Sequence, residues 1–204
     1  MNINFEKPDL MTSALIEIDV QNDFCPGGAL AVAEGGKVIA PLNEIARRFA
    51  AAGAPVIATQ DWHPAGHCSF ASTGKKTAEG EVLWPDHCVQ GTAGADFHRD
   101  LDLAPVTLIV RKGFRPAIDS YSAFFENDRK TATGLAAYLN GLGVKTVYLG
   151  GLATDYCVFF SAMDAVKLGF TVYLLQDAVR GVNYPEGSVE KALDTMKSAG
   201  VVMA

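Results

Sequence analysis

Four reactive side chains in this 204-residue sequence close or follow apolar, β-branched runs. Asp19 ends Ala14-Leu15-Ile16-Glu17-Ile18-Asp19, and Asp61 ends Val56-Ile57-Ala58-Thr59-Gln60-Asp61. Lys112 ends Val106-Thr107-Leu108-Ile109-Val110-Arg111-Lys112, and Cys157 lies just past Val147-Tyr148-Leu149-Gly150-Gly151. If these runs are parallel strands, the four groups gather outside the carboxyl ends of one sheet, where open α/β sheets bind ligands. An acid, a lysine and a cysteine brought together there make a nucleophile with its activators. In the first turn of a helix, Cys157 would meet backbone N–H groups that favour the thiolate and can receive an oxyanion. The competing reading packs Cys157 in the core as a small hydrophobe. Asp19 can serve as the general base or as a turn acid bonded to its own loop. Lys112 can hold thiolate and substrate by charge, or pair with Asp19 structurally.

Asp61-Trp62-His63 sets two metal-ligand types two residues apart, on one side of an extended backbone. His67 follows, and His87 sits in Trp84-Pro85-Asp86-His87-Cys88. One carboxylate and two imidazoles, with positions left open, suit a catalytic Zn²⁺, Fe²⁺ or Mn²⁺. The alternative makes His63 and His87 loop residues bonded to backbone. A second alternative closes a structural zinc site with Cys68, Cys88, His63 and His67, against which stands the lack of a tight Cys-x-x-Cys pair. Phe24, Trp84 and Tyr121, in the intervening loops, either wall a flat substrate or anchor those loops.

Strand-like and helix-like segments alternate to position these residues. Val38, Leu42, Ile45 and Phe49 share one face of a helix from about Lys37 to Ala52, with Gly53 as its C-cap. Trp62 to Leu103 shows little periodicity, and a connection of that length is usually functional. A helix is expected from about Thr131 to Gly141, and another from Thr154 or Asp155, as N-cap, to Gly169. Thr171–Asp177 reads as a strand, Ser188–Ala199 as a helix and Val201–Met203 as a short strand. Such alternation predicts a parallel sheet with helices on both faces in a single domain, residues 1–204.

Composition bounds the function. Apolar residues at 49% and charged residues at 20% are those of a soluble globular chain. Lys and Arg number 17 against 23 Asp and Glu, a net charge of −6, which gives no support for nucleic-acid or anionic-membrane binding. Met1 to Asp9 lacks the layout of a signal peptide and no apolar stretch spans a bilayer, so a cytoplasmic location is expected. In that compartment Cys25, Cys68, Cys88 and Cys157 are expected as free thiols.

The motifs now in view resemble a known family. Ile18-Asp19-Val20-Gln21-Asn22-Asp23-Phe24-Cys25, Asp61-Trp62-His63-Pro64-Ala65-Gly66-His67-Cys68-Ser69-Phe70, Trp84-Pro85-Asp86-His87-Cys88-Val89-Gln90-Gly91, Arg111-Lys112-Gly113-Phe114, Asp119-Ser120-Tyr121-Ser122 and Gly151-Leu152-Ala153-Thr154-Asp155-Tyr156-Cys157-Val158 resemble, in order, the bacterial nicotinamidases (pyrazinamidases) of the isochorismatase-like hydrolases. The resemblance implies a three-layer α/β/α fold with a mainly parallel, doubly wound sheet of six strands in the order 3-2-1-4-5-6. It implies a triad of Asp19, Lys112 and Cys157, and one divalent metal, zinc before iron or manganese, held by Asp61, His63 and His87. The His63-to-His67 interval is shorter than in relatives that use a further histidine, which sets His67 beside the metal or on the substrate side. It implies a cis peptide at Leu152–Ala153 and an oxyanion hole from the N–H groups of Ala153 and Cys157, with Phe24 and Trp84 sandwiching the ring. The implied reaction takes nicotinamide, and pyrazinamide, to the acid and ammonia through a thioester that water, activated by Asp19 or the metal, hydrolyses. The product would feed NAD salvage. Two alternatives remain: another amide or carbamoyl hydrolase of the superfamily without the metal cluster, and a non-catalytic zinc-stabilised binding domain.

Overall fold

The computed structural model describes residues 10–74 and 82–204. The stretch read above for a leader, Met1–Asp9, lies outside the described residues, as do residues 75–81 of the long second connection.

The apolar runs form six strands: β1 (Ser13–Ile18), β2 (Val56–Asp61), β3 (Val106–Lys112), β4 (Thr146–Leu152), β5 (Thr171–Arg180) and β6 (Val202–Met203). They pair in the order β3-β2-β1-β4-β5-β6, and every pairing is parallel, where a mainly parallel sheet was expected. β1 and β2 are buried throughout, which is why they read as nearly continuous apolar runs and not as alternating ones. Among the described residues four helices cover the sheet: α1 (Ile39–Ala51), α2 (Leu135–Gly141), α3 (Phe159–Lys167) and α4 (Ser188–Ser198). Strand alternation divides the core in two. Ala14, Ile16 and Ile18 pack with Leu139 of α2, Ala162 of α3 and Met196 of α4, while Leu15 packs with Leu42, Ala46 and Phe49 of α1. Each large side chain so buried contributes about 1.5–3 kcal/mol. α1 ends as expected: Gly53 takes φ 76 and donates its N–H to the Ala50 carbonyl.

Several boundaries differ from the sequence expectation. α2 begins at Leu135 and not near Thr131, because the Thr131 N–H and hydroxyl both donate to the Asp128 carboxylate while the Thr133 hydroxyl donates to the Ala123 carbonyl. Side-chain bonds of this kind compete with helix. α3 begins at Phe159. Thr154–Val158 form a wider π-type turn, and neither Thr154 nor Asp155 caps the helix through its side chain. β5 runs on to Arg180, past an irregularity in its pairing with β4.

The winding reverses between β1 and β4, and the crevice at their carboxyl ends is where a doubly wound sheet takes its ligand. The two strands approach closely there. Gly151 sits opposite Ile18 at φ 121, and a Cβ on it would stand 2.0 Å from the Ile18 carbonyl oxygen. Only glycine fits.

Candidate active site

Three strand ends deliver the polar groups. Asp19 follows β1 in a left-handed conformation, φ 50, that turns the chain away from the strand. The Thr59 hydroxyl donates to its Oδ1 at 2.6 Å, and the Asp19 N–H donates back to Thr59 Oγ1 at 3.1 Å. Lys112 closes β3, fully buried. Its ammonium lies 2.9 Å from Asp19 Oδ2, donates to Asp61 Oδ1 and to the Ser120 carbonyl (2.9 Å), and reaches Cys157 Sγ at 3.4 Å. Carboxylate oxygens of Asp19 and Asp61 and the Cys157 sulfur all lie within 4.8 Å of one another. The structure thus brings Asp19, Lys112 and Cys157 together.

Burial disfavours charge on each of these groups, and the neighbours decide which of them keeps it. Burial presses the Lys112 ammonium toward neutrality, but Asp19 and Asp61 hold its pKa well above the usual lysine range. Burial lifts the Cys157 thiol well above its ordinary value, with Lys112 opposing and Asp19 adding to the rise. Burial also lifts Asp19, with Lys112 and the Thr59 hydroxyl pulling it back. A neutral thiol therefore rests beside a carboxylate of raised proton affinity, with a fixed ammonium between them.

Asp61 is shared with a second group. Its Oδ2 lies 3.5 Å from His63 Nε2 and 3.9 Å from His87 Nε2. His63 Nδ1 donates to the Gly113 carbonyl at 2.8 Å, and His87 Nδ1 donates to the Pro85 carbonyl at 2.7 Å. A carbonyl only accepts, so each Nδ1 carries a proton and each Nε2 is the ring nitrogen turned toward Asp61. That is the outer-sphere arrangement metal-ligating imidazoles use. The three donor atoms lie within 4.8 Å of one another, and the donor set of one carboxylate and two imidazoles fits a divalent transition metal. Gly113, at φ 63, is required beside it: a Cβ there would stand 2.4 Å from His63 Cε1. His67 and Asp119 also approach His63. However, His67 Nε2 donates to the carbonyls of Arg115 (3.0 Å) and Ile118 (3.2 Å), and Nδ1 faces the Ser69 hydroxyl at 2.7 Å. Its ring stacks on His63 with 4.2 Å between centroids, so it braces that ligand. Cys68 Sγ lies 3.9 Å from His67 Nε2, but neither Cys68 nor Cys88 belongs to the clustered ligand groups among the described residues, and none of the four cysteines is in a disulfide.

Above the sulfur lies a slot lined by Phe24, Trp84, Tyr121, Tyr156, Ala153 and Val182, among others. Trp84 Nε1 donates to the Tyr121 hydroxyl at 3.0 Å, and Trp84 meets Tyr156 edge-on. All three aromatic residues singled out in the sequence therefore reach the slot. The Leu152–Ala153 peptide is cis. The Tyr156 and Val158 N–H groups donate to the Ala153 carbonyl. Thr59, Asp119 and Tyr156 stood in the quoted segments but were assigned no role from sequence. Thr59 alone carried a usable signal, lying two residues before Asp61 in a strand and so on the same face.

Comparison with known proteins places this geometry. The sequence matches the isochorismatase domain over residues 13–204. It is 47% identical over 197 residues to a nicotinamidase of Acinetobacter baylyi, covering 92% of this chain and 90% of that one. The fold superposes on the nicotinamidase/pyrazinamidase of Acinetobacter baumanii with a TM-score of 0.89 at 48% identity, covering 95% of both chains. On the pyrazinamidase of Pyrococcus horikoshii, crystallised with zinc, it does so at 0.82 and 45% identity, covering 95% of this chain and 98% of that one. With the motifs in order, one six-stranded parallel sheet beneath them and a family match running from β1 to the last residue, the chain belongs to the isochorismatase family.

Proposed function

We propose that this chain, as a single catalytic domain, hydrolyses nicotinamide to nicotinate and ammonia, with pyrazinamide as a second substrate and pyridine-nucleotide salvage as its setting. One observation carries the reading: a buried ammonium bridging a carboxylate and a cysteine sulfur, next to an Asp-His-His group, under a slot walled by aromatic rings. The names of the similar enzymes support the same substrate class.

The residues divide the work as follows. Asp19 takes the Cys157 proton as the substrate settles, and Lys112 stabilises the thiolate. The sulfur adds to the amide carbon. The N–H groups of Ala153 and Cys157 hold the resulting oxyanion, and losing one such donor typically costs about 3 kcal/mol. The C–N bond breaks as Asp19 returns the proton to nitrogen, so ammonia leaves and a thioester remains. Asp19 then takes a proton from water, the hydroxide adds to the thioester carbon, and the C–S bond breaks. Asp19 returns its proton to Cys157, and the acid departs as its carboxylate, its own proton lost to water. Phe24, Trp84 and Tyr121 hold the ring flat and keep bulk water off the sulfur. Asp61, His63 and His87 would hold the divalent ion, zinc by preference, which supplies a Lewis-acid anchor for a ring nitrogen.

The test is ammonia release from nicotinamide by purified protein, paired with elemental analysis. Robust release with about one equivalent of zinc, iron or manganese is expected. Metal-replete protein that releases none would refute the reading.

A further inference from the structure

Asp155 was expected as a helix N-cap, and it is not one. Its carboxylate accepts three hydrogen bonds from the segment after β5 and the start of α4. The Val182 N–H donates to Oδ1 at 2.9 Å, the Asn183 N–H to Oδ2 at 2.9 Å, and the Ser188 hydroxyl to Oδ2 at 2.6 Å. The next residue repeats the attachment, since the Tyr156 hydroxyl donates to the Tyr184 carbonyl. Two consecutive residues just ahead of Cys157 thus grip the segment that leads from β5 into α4. The grip is buried at Asp155, while Tyr184 on the segment's outer side is 59% exposed. Within the segment only Val182 lines the slot, together with Tyr156 and Cys157.

We propose that Asp155 is a positioning residue that sets this outer wall of the slot, and so sets how closely an aromatic amide is held against Cys157. The inference rests on the amide-hydrolase reading above and adds a determinant of substrate fit. The chemistry of the grip demands a carboxylate. Two backbone N–H groups address its two different oxygens, and an asparagine would have to turn its NH₂ toward one of them, donor against donor. A misplacement of about 1 Å in a wall of this kind costs far more in productive geometry than in folding. Val182 is what moves when the grip is lost, because its N–H is one of the three donors.

The experiment compares the unaltered chain with Asp155→Asn, Asp155→Ala and Ser188→Ala on two substrates, nicotinamide and 5-methylnicotinamide, with a thermal melt of each variant. Loss of the grip is expected to raise KM for nicotinamide about tenfold while kcat stays within about threefold. It is also expected to raise kcat/KM for the methylated amide relative to nicotinamide by about fivefold, because the wall has loosened. Ser188→Ala should move both quantities the same way by less. A folded Asp155 variant with lower Tm but unmoved KM and an unmoved substrate ratio would overturn the proposal, leaving Asp155 a purely structural tie. Should neither Asp155 variant fold, Ser188→Ala decides on the same readouts, with Val182→Ala as the direct change of the wall. No ammonia release by the unaltered chain would sink the hydrolase reading itself. Release with an unmoved ratio sinks only this inference.

Discussion

Glu17 and Asp19 lie two residues apart, both fully buried carboxyls, and they have opposite fates. Asp19 meets the Thr59 hydroxyl and the Lys112 ammonium. Glu17 is flanked in the sheet by Ala58 and Gly150 and shares the α1 face with Leu15, and neither of its oxygens finds a hydrogen-bond partner among the described residues. Burial, with the negative Asp102 nearby, pushes its pKa up to about 8. Burial alone makes an acid that the fold must keep protonated. Burial beside a fixed cation, with a thiol in reach, makes an acid that can take a proton and give it back. The partner makes the site, and depth does not.

The comparison breaks most sharply at the partnered end. Asp19→Asn and Cys157→Ala should each lower kcat/KM for nicotinamide by about 10⁴-fold or more with an unchanged melt, as for members of a nucleophile–base unit. Activity retained at a tenth of the original in either variant would remove the covalent route. Lys112→Ala differs in kind. It strips the counter-charge from two buried carboxylates, so beyond a turnover loss of about 10³-fold a stability loss of about 3–5 kcal/mol is expected in denaturant titration. An unchanged midpoint would show that Asp19 and Asp61 are not both ionised in the resting protein.

Chelation sharpens the picture from the other side. Asp61, His63 and His87 are buried but stand at a strand end and in loops, while the hydrophobic core is built from side chains of the strands and helices. Removing a bound metal should therefore lower turnover by about a hundredfold or more while Tm moves only a few degrees. Global unfolding on chelation would instead support the zinc-stabilised binding domain, whose folding energy resides in the ion.

The strands and their ends were legible because β1, β2 and most of β4 are buried on both faces and leave long apolar runs, and Asp19, Asp61 and Lys112 stand where their runs stop. What was not legible depended on partners far off in the chain. Thr59 is an ordinary strand threonine until Asp19, forty residues earlier, folds against it. Asp155 has the sequence signature of an N-cap, and the N–H groups of Val182 and Asn183 claim its oxygens instead. The short interval from His63 set His67 apart from the ligands, but did not say which groups would hold it: the carbonyls of Arg115 and Ile118, far along the chain. Glu17 passed unremarked inside an apolar run, since one-dimensional pattern reports burial and says nothing about who waits inside.

The smallest effect on turnover is expected at Glu17, and the largest dependence on pH. Its folded-state pKa, about 8, stands above the ordinary value of 4.5. The folded protein therefore binds this proton more tightly than the unfolded chain does. The stability linked to it is fully present below about pH 4.5 and is lost as pH rises through 8. Glutamine keeps the shape and never ionises. Glu17→Gln should therefore melt close to the unaltered chain at pH 5 and become the more stable of the two by on the order of 2–4 kcal/mol at pH 9. Ammonia release at pH 7 should stay within about twofold, because no atom of Glu17 lines the slot. Denaturant midpoints at the two pH values read the effect directly. Curves that run parallel from pH 5 to pH 9 would mean that Glu17 has a counter-charge or a water to answer it, and the contrast with Asp19 would then be one of reacting neighbours only.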